Sequence, residues 1–294
     1  MTISRVDLLM NQVRRNARVE KERFPDSMLT KLFNDAQTAI RSIIHTEDGS
    51  GKFFPRIFQA DVTPEQRNYP LPADVYALNS INNVELQTDD QLFISGGKLR
   101  QVLASEEGVS NGYYLFGPEI RLTFQPGLVG TLLVDYSYKL PALSFRCGRI
   151  RDASGTTIRL NRNTASQENL AELDAGLSVV SSEGAILQSG LLLESYDART
   201  GTITLEEAPA TPPSVGGYVV LGNLASSHTS LPEEVIPLLT SMVERRVKAI
   251  DADVTFSIMD SLTQSEESFI RDLFSNSEND ANHTPLSEDN YLPV

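Results

Sequence analysis

The chain has 294 residues, a net charge of −14, 40% hydrophobic and 22% charged residues, which fits a folded protein with a sizeable core and not a disordered one. The acidic balance makes the chain a poor coater of DNA, because such binding needs clustered Lys and Arg to displace counterions from phosphates, though it suits the lining of a channel through which DNA slides without sticking. Cys147 is the only cysteine and tryptophan is absent, which excludes a disulfide framework within the chain, Cys-rich zinc sites and tryptophan sugar platforms.

Ser4 is placed to cap a first helix whose face is Val6, Leu9, Met10 and Val13. Pro25 ends that pattern, and Asp26 or Ser27 caps a second helix. Its stripe is Leu29, Leu32, Phe33, Ala36, Ile40, Ile43 and Ile44, at steps of three and four. Asp48-Gly49-Ser50-Gly51 is a turn.

From Phe53 to Leu140 the hydrophobic period changes to two. Strands are predicted over 56–62, 77–86, 98–102, 113–116, 120–125 and 130–138, with turns at Gly117-Pro118 and Pro126-Gly127. They read as an antiparallel meander with one face on the two helices. Asn68-Tyr69-Pro70-Leu71-Pro72-Ala73-Asp74-Val75 is a stiff approach to one of these strands, because each proline fixes its own φ and pushes the preceding residue toward extended backbone.

Pro141 to Ser144 marks a boundary. Short strands then recur over 149–151, 156–160, 177–180, 185–189, 191–195, 201–205 and 218–221, separated by Gly-containing turns, a spacing that suggests a small barrel or sandwich. Ser230-Leu231-Pro232-Glu233 is a capping-box pattern. It opens a helical region with Val235, Leu238, Leu239, Met242, Val243, Val247 and Ile250 on one face. Val254, Ile258, Met259, Leu262, Phe269, Ile270 and Leu273 extend the stripe, with a break expected near 251–255. The remaining residues are rich in Ser, Asn, Glu and Asp and close on Tyr291-Leu292-Pro293-Val294, a composition expected to order on a partner.

The fold class expected is therefore α+β. N-terminal helices (1–52) and a long C-terminal helix (226–274) form one helical unit, packed with an antiparallel β unit (53–141). An inserted barrel or sandwich (142–225) and an acidic tail (275–294), disordered until bound, complete the chain.

Motifs for chemistry fail one by one. Gly49-Ser50-Gly51-Lys52 would be a phosphate loop only with glycine at position 46 and Ser or Thr at 53, where Thr46 and Phe53 stand. His45, His228 and His283 lie in separate segments, and His45 suits a helix C-terminus, where the dipole favours a cation. Asp89-Asp90 and Glu206-Glu207 read as solvated pairs, since adjacent strand residues point to opposite faces. Cys147 reads as a small buried apolar residue rather than a nucleophile. No catalytic residue, metal ligand or cofactor is assigned, and the chain is not read as an enzyme. The N-terminus lacks an apolar signal core, and no apolar run has the roughly 20 residues a membrane span needs, so membrane insertion is not expected.

Charge is uneven. Residues 1–60 carry 10 Lys and Arg against 7 acids, and residues 226–294 carry 4 against 13. Arg14, Arg15 and Arg18, with Lys21 and Arg23, form a basic cluster that reads either as a contact for DNA phosphates or an acidic partner, or as a solvated face balanced by Glu20 and Glu22.

The Tyr69-Pro70-Leu71-Pro72-Ala73-Asp74 segment, the two N-terminal helices before it and the Leu231-Pro232 start of the last helix resemble the head-to-tail connector, or adaptor, proteins of tailed phages. The resemblance implies a virion protein made in the host cytoplasm and placed at the neck. It implies a ring of copies with the portal's twelvefold symmetry, bound to the portal protein and to a tail nozzle or tail tube protein, with DNA passing transiently through. On that reading Val254, Ile258, Leu262, Phe269, Ile270, Leu273, Tyr291, Leu292 and Val294 are candidates for portal contact. The 142–225 unit departs from the smallest adaptors and leaves a second reading open, a domain that seats tail fibres or binds a receptor.

Overall fold

The computed structural model describes residues 5–47, 54–88, 97–106, 112–124, 126, 129–144, 146–161, 176–197, 199–252 and 264–275. The chain divides into two compact units, Met1–Ile43 with Pro141–Leu273, and Ile44–Leu140 with Phe274–Val294.

The first unit begins with helix α1 (Val6–Ala17), which buries Val6, Leu9, Met10 and Val13, the face read from the sequence. Ser4 lies outside the described residues, and Arg5 takes the N-cap position with extended backbone and no side-chain cap. Residue 5 is instead held in an antiparallel bridge to His228, while the Val6 N–H donates to Ser227 O at 2.9 Å. The helix stops at Arg18 in the left-handed region (φ 58°), whose N–H returns to Arg14 O. Helix α2 (Asp26–Glu47) follows and buries Leu29, Leu32, Phe33, Ala36, Ile40 and Ile44.

Ile44–Leu140 carries two sheets around one core. Strands β1 (Pro55–Val62), β3 (Ile81–Thr88) and β7 (Gly130–Ser137) pair antiparallel in the order β1-β7-β3. Strands β2 (Asn68–Pro70), β4 (Arg100–Gln101), β5 (Gly112–Phe116) and β6 (Glu119–Leu122) pair in the order β2-β6-β5-β4. The meander read from local alternation is therefore corrected. β7 sits between two strands far earlier in the chain, and β4 runs parallel to β5. Alternation marks which faces are buried but carries no information on which strand lies beside which. Tyr69, Tyr113 and Tyr136 are buried together with Val62, Val84, Leu86, Ile120, Leu122, Leu132 and Val134.

The remaining strands belong to the first unit. β9 (Arg146–Ser154), β10 (Thr157–Leu160), β11 (Leu177–Val180), β12 (Ile186–Leu191), β13 (Leu193–Asp197), β14 (Thr202–Leu205) and β15 (Tyr218–Leu221) form one antiparallel sheet, β12-β11-β15-β9-β10-β14-β13. Among the described residues no closed barrel is found. β9 pairs with β15 through its first half and with β10 through its second, and the two end strands are joined by Leu192 alone. The core is aliphatic, built from Ile150, Ile158, Leu160, Leu177, Val179, Leu191, Ile203, Leu205 and Val219. At the Asp197–Gly201 turn the Asp197 carboxylate accepts the Arg199 N–H (2.9 Å) and the Thr200 hydroxyl (2.7 Å), and Gly201 supplies the positive φ of 68°. A short parallel pair, β8 (Ala142–Leu143) with β16 (Ala225–Ser226), closes the ends of this region.

The capping box at Ser230 does not form. Pro232 stands at the start of a 3-10 turn (Glu233–Val235) without a side-chain cap, and Thr229 Oγ1 accepts the Leu231 N–H at 3.2 Å, an alternative local bond. Helix α3 (Ile236–Asp251) then starts with Pro237 in its first turn, where the missing N–H costs nothing. The single long helix expected for 226–274 is two helices among the described residues. α3 ends at Asp251, inside the expected break, and α4 (Gln264–Ser275) follows. The acidic tail lies outside the described residues.

Candidate functional site

Among the described residues no three His, Cys, Asp or Glu stand close enough to hold a metal ion. His45 lies in the last turn of α2, its ring edge-on to Tyr76 at 4.6 Å. His228 is buried, with Nδ1 3.0 Å from Ser227 Oγ. Glu206 and Glu207 are exposed. The 49–52 turn, Asp89-Asp90 and His283 fall outside the described residues. What remains are surfaces and the bonds that position them.

The Tyr69–Asp74 segment crosses from one sheet of its unit to the other. Pro70 is tolerated because β2 is an edge strand among the described residues, paired with β6. Tyr69 packs in the shared core, and its hydroxyl donates to Gln66 O at 2.9 Å. Leu71 N–H donates to Pro118 O at 2.8 Å. Asp74 then ties the segment to the other sheet. Its Oδ1 accepts the Tyr136 hydroxyl at 2.9 Å, its Oδ2 pairs with Arg56 of β1, and its backbone O accepts the Lys139 N–H at 2.6 Å. Arg56 also lies over the Tyr138 ring, 4.4 Å from the centroid. Burial, reinforced by the bond to Asp74, pushes the Tyr136 hydroxyl well above its usual range. The segment that carries the family resemblance is a structural stitch, not a reactive group.

The basic cluster separates into bonded and exposed members. Arg14 is engaged within the chain, donating to Phe24 O at 2.8 Å and to Asp26 Oδ1 at 2.5 Å, and Lys21 pairs with the same carboxylate at 2.9 Å. Burial works to raise the Asp26 carboxyl. The bonds from Lys21 and Arg14 outweigh it and hold the group below the usual carboxylate range. Arg23 pairs with Asp251 at 3.0 Å and Asn16 with Glu244 at 3.1 Å, tying the end of α1 and the following turn to α3. Arg15 and Arg18 are exposed. Of the three sequence candidates, Arg14 thus braces the α1–α2 turn, while Arg15 and Arg18 face solvent.

The C-terminal candidates divide similarly. Phe269 is 48% exposed, Leu273 is half-buried and Ile270 is fully buried. Arg245 of α3 holds α4 through Glu266 at 2.8 Å. Val254, Ile258, Leu262, Tyr291, Leu292 and Val294 lie outside the described residues.

Sequence reading missed a polar clamp on α2. The Asn34 carboxamide donates to Leu143 O (2.9 Å) and accepts the Leu143 N–H (2.7 Å). Gln37, only 4% exposed, donates to Pro141 O (3.0 Å) and accepts the Thr229 hydroxyl (2.8 Å). The available signal was Gln37 itself, a polar side chain one turn after Phe33 and one before Ile40 on the apolar stripe.

No curated protein matches the chain. Residues 4–147 match the family model of the SU10 adaptor protein, a stretch of just under half the chain that covers α1, α2 and both sheets of the 54–140 region and stops as β9 begins. Over that stretch the resemblance read from Tyr69–Asp74 holds, and residues 4–147 are similar to the SU10 adaptor family, consistent with a phage adaptor or structural role.

Proposed function

We propose that the protein is a head-to-tail connector that forms a ring, with the portal's twelvefold symmetry, between the portal protein and the tail nozzle or tube at the virion neck. The match over residues 4–147 carries this reading. α4 supports it with an exposed Phe269 on a short helix tied to α3 by the Arg245–Glu266 ion pair, and the 275–294 composition suits a segment that orders against a partner. The entropic cost of ordering that segment is offset by repeated contacts around a ring. The net charge of −14 disfavours adhesion of passing DNA. In this reading Phe269 and Leu273, with Val254, Ile258, Leu262, Tyr291, Leu292 and Val294, contact the portal, and Arg15 and Arg18 meet DNA or an acidic surface.

The purified chain mixed with the portal ring of its phage tests this, with assembly followed by sedimentation. Removal of residues 275–294 weakens assembly sharply on this account, and unchanged assembly contradicts the tail's role.

A second reading concerns the region from β9 to β15. The family match stops at residue 147, so this region is additional to the matched stretch and is the place to seat a tail fibre or a receptor. Binding of fibre protein or host glycans by the full chain, lost when this region is excised, would establish it.

A further inference from the structure

The β9–β15 region leaves and rejoins the helices through β8 and β16, only two residues each and paired in parallel. A two-rung parallel pair is too small to fix a domain, since isolated two-stranded pairs are marginal in water and parallel pairing is the weaker kind. Yet the joint is dense with bonds. Along β8 the Ala142 and Ser144 N–H groups face β16, donating to Leu224 O (3.1 Å) and Ser226 O (2.9 Å). The intervening Leu143 must then turn its own N–H and C=O to the opposite edge. Asn34 meets both, so its carboxamide stands where a third strand would. One turn later Gln37 bridges the ingoing chain at Pro141 and the outgoing chain at Thr229.

The β side of the joint is equally engaged. Ser226 Oγ donates to Gly184 O at 2.9 Å, the Tyr218 and His228 rings lie 5.7 Å apart, and Arg5 hydrogen-bonds Tyr218. Gly184 approaches so closely that a Cβ there would stand 2.4 Å from His228 Cβ. Leu224, at the outgoing end, is in the left-handed region (φ 51°), a conformation that persists in a non-glycine residue only where its surroundings hold it.

We propose that Asn34 and Gln37 are positioning residues that mount the β9–β15 region on α2 as a rigid arm, fixed at one attitude to the helices. The α2 pair supplies the lateral bonds that β8 and β16 lack. The inference does not rest on the adaptor reading, although in a ring it would place every copy's arm at the same angle.

The test is a spin-label distance measurement on the full chain, with Lys31→Cys on α2 and Arg159→Cys on β10 in a Cys147→Ser background. Both labelled positions are exposed. The parent gives a single narrow distance. Asn34→Ala with Gln37→Ala loses it and spreads over several distances, while the amide protons of β10 and β14 remain slow to exchange. Asn34→Asp keeps the acceptor for Leu143 N–H and loses the donor, so it gives an intermediate width and decides the matter if the double variant does not fold. A broad distribution in the parent, or an unchanged narrow one in Asn34→Asp and the double variant, overturns the proposal.

Discussion

The chain contains two β regions built on different chemistry. The 54–140 region buries three tyrosines in its core and ties two of their hydroxyls to specific partners, Tyr69 to Gln66 and Tyr136 to Asp74. The β9–β15 region has a fully buried core cluster of Ile, Leu and Val alone. A buried hydroxyl without a partner costs about 1–3 kcal/mol, so the first region needs particular residues at particular places. An aliphatic core needs only volume and pattern. The tyrosine-built region therefore leaves a readable signature, Tyr69 to Asp74, and the aliphatic one leaves only spacing.

The largest expected effect separates the two cores. Tyr69→Ala removes a side chain that is 1% exposed and costs roughly 3–5 kcal/mol, in line with other buried aromatics. Faster hydrogen exchange concentrates in β1–β7. Ile203→Ala, fully buried in the other core, costs roughly 2–5 kcal/mol with exchange gained in β9–β15. Equal loosening of both regions by either variant would break the comparison.

Gly184→Ala comes next. The added methyl meets His228 and must adopt φ +97°, which together costs roughly 2–4 kcal/mol in thermal or denaturant unfolding. A neutral result would mean that the 181–184 turn moves freely off His228.

The smallest effect is chemical. Burial and Asp74 raise the folded-state pKa of Tyr136 above its unfolded value. The associated stability is fully present below the unfolded pKa of about 10 and is lost as pH rises through the folded value. The 54–140 region should therefore loosen in alkali before the aliphatic core does. Asp74→Ala removes the bond and about 1–3 kcal/mol. Tyrosinate absorbance in Tyr136→Phe against the parent identifies the late-titrating group, and its absence from the difference would refute the assignment.

The same physics explains what was legible. The helix faces at Val6–Val13 and Leu29–Ile44 follow from a period of 3.6, and Leu177–Val180 and Tyr218–Leu221 were placed to the residue because turn glycines bound them. The position of β7 between β1 and β3 was not legible, since register partners such as Phe58 and Val134 are distant in sequence. Of the expected barrel or sandwich, no closed barrel is found among the described residues, and strand spacing says nothing of closure. The clamp was missed because a carboxamide that replaces a strand edge looks, in sequence, like any polar interruption of a helix stripe.

Location of the chain in the intact particle tests the central claim most directly. Electron cryo-microscopy of virions should show density matching the 5–144 region at the neck, between portal and tail, repeated around the axis. A particle whose neck lacks this protein, or a chain that stays monomeric beside its portal while turning over a small substrate, would contradict the account.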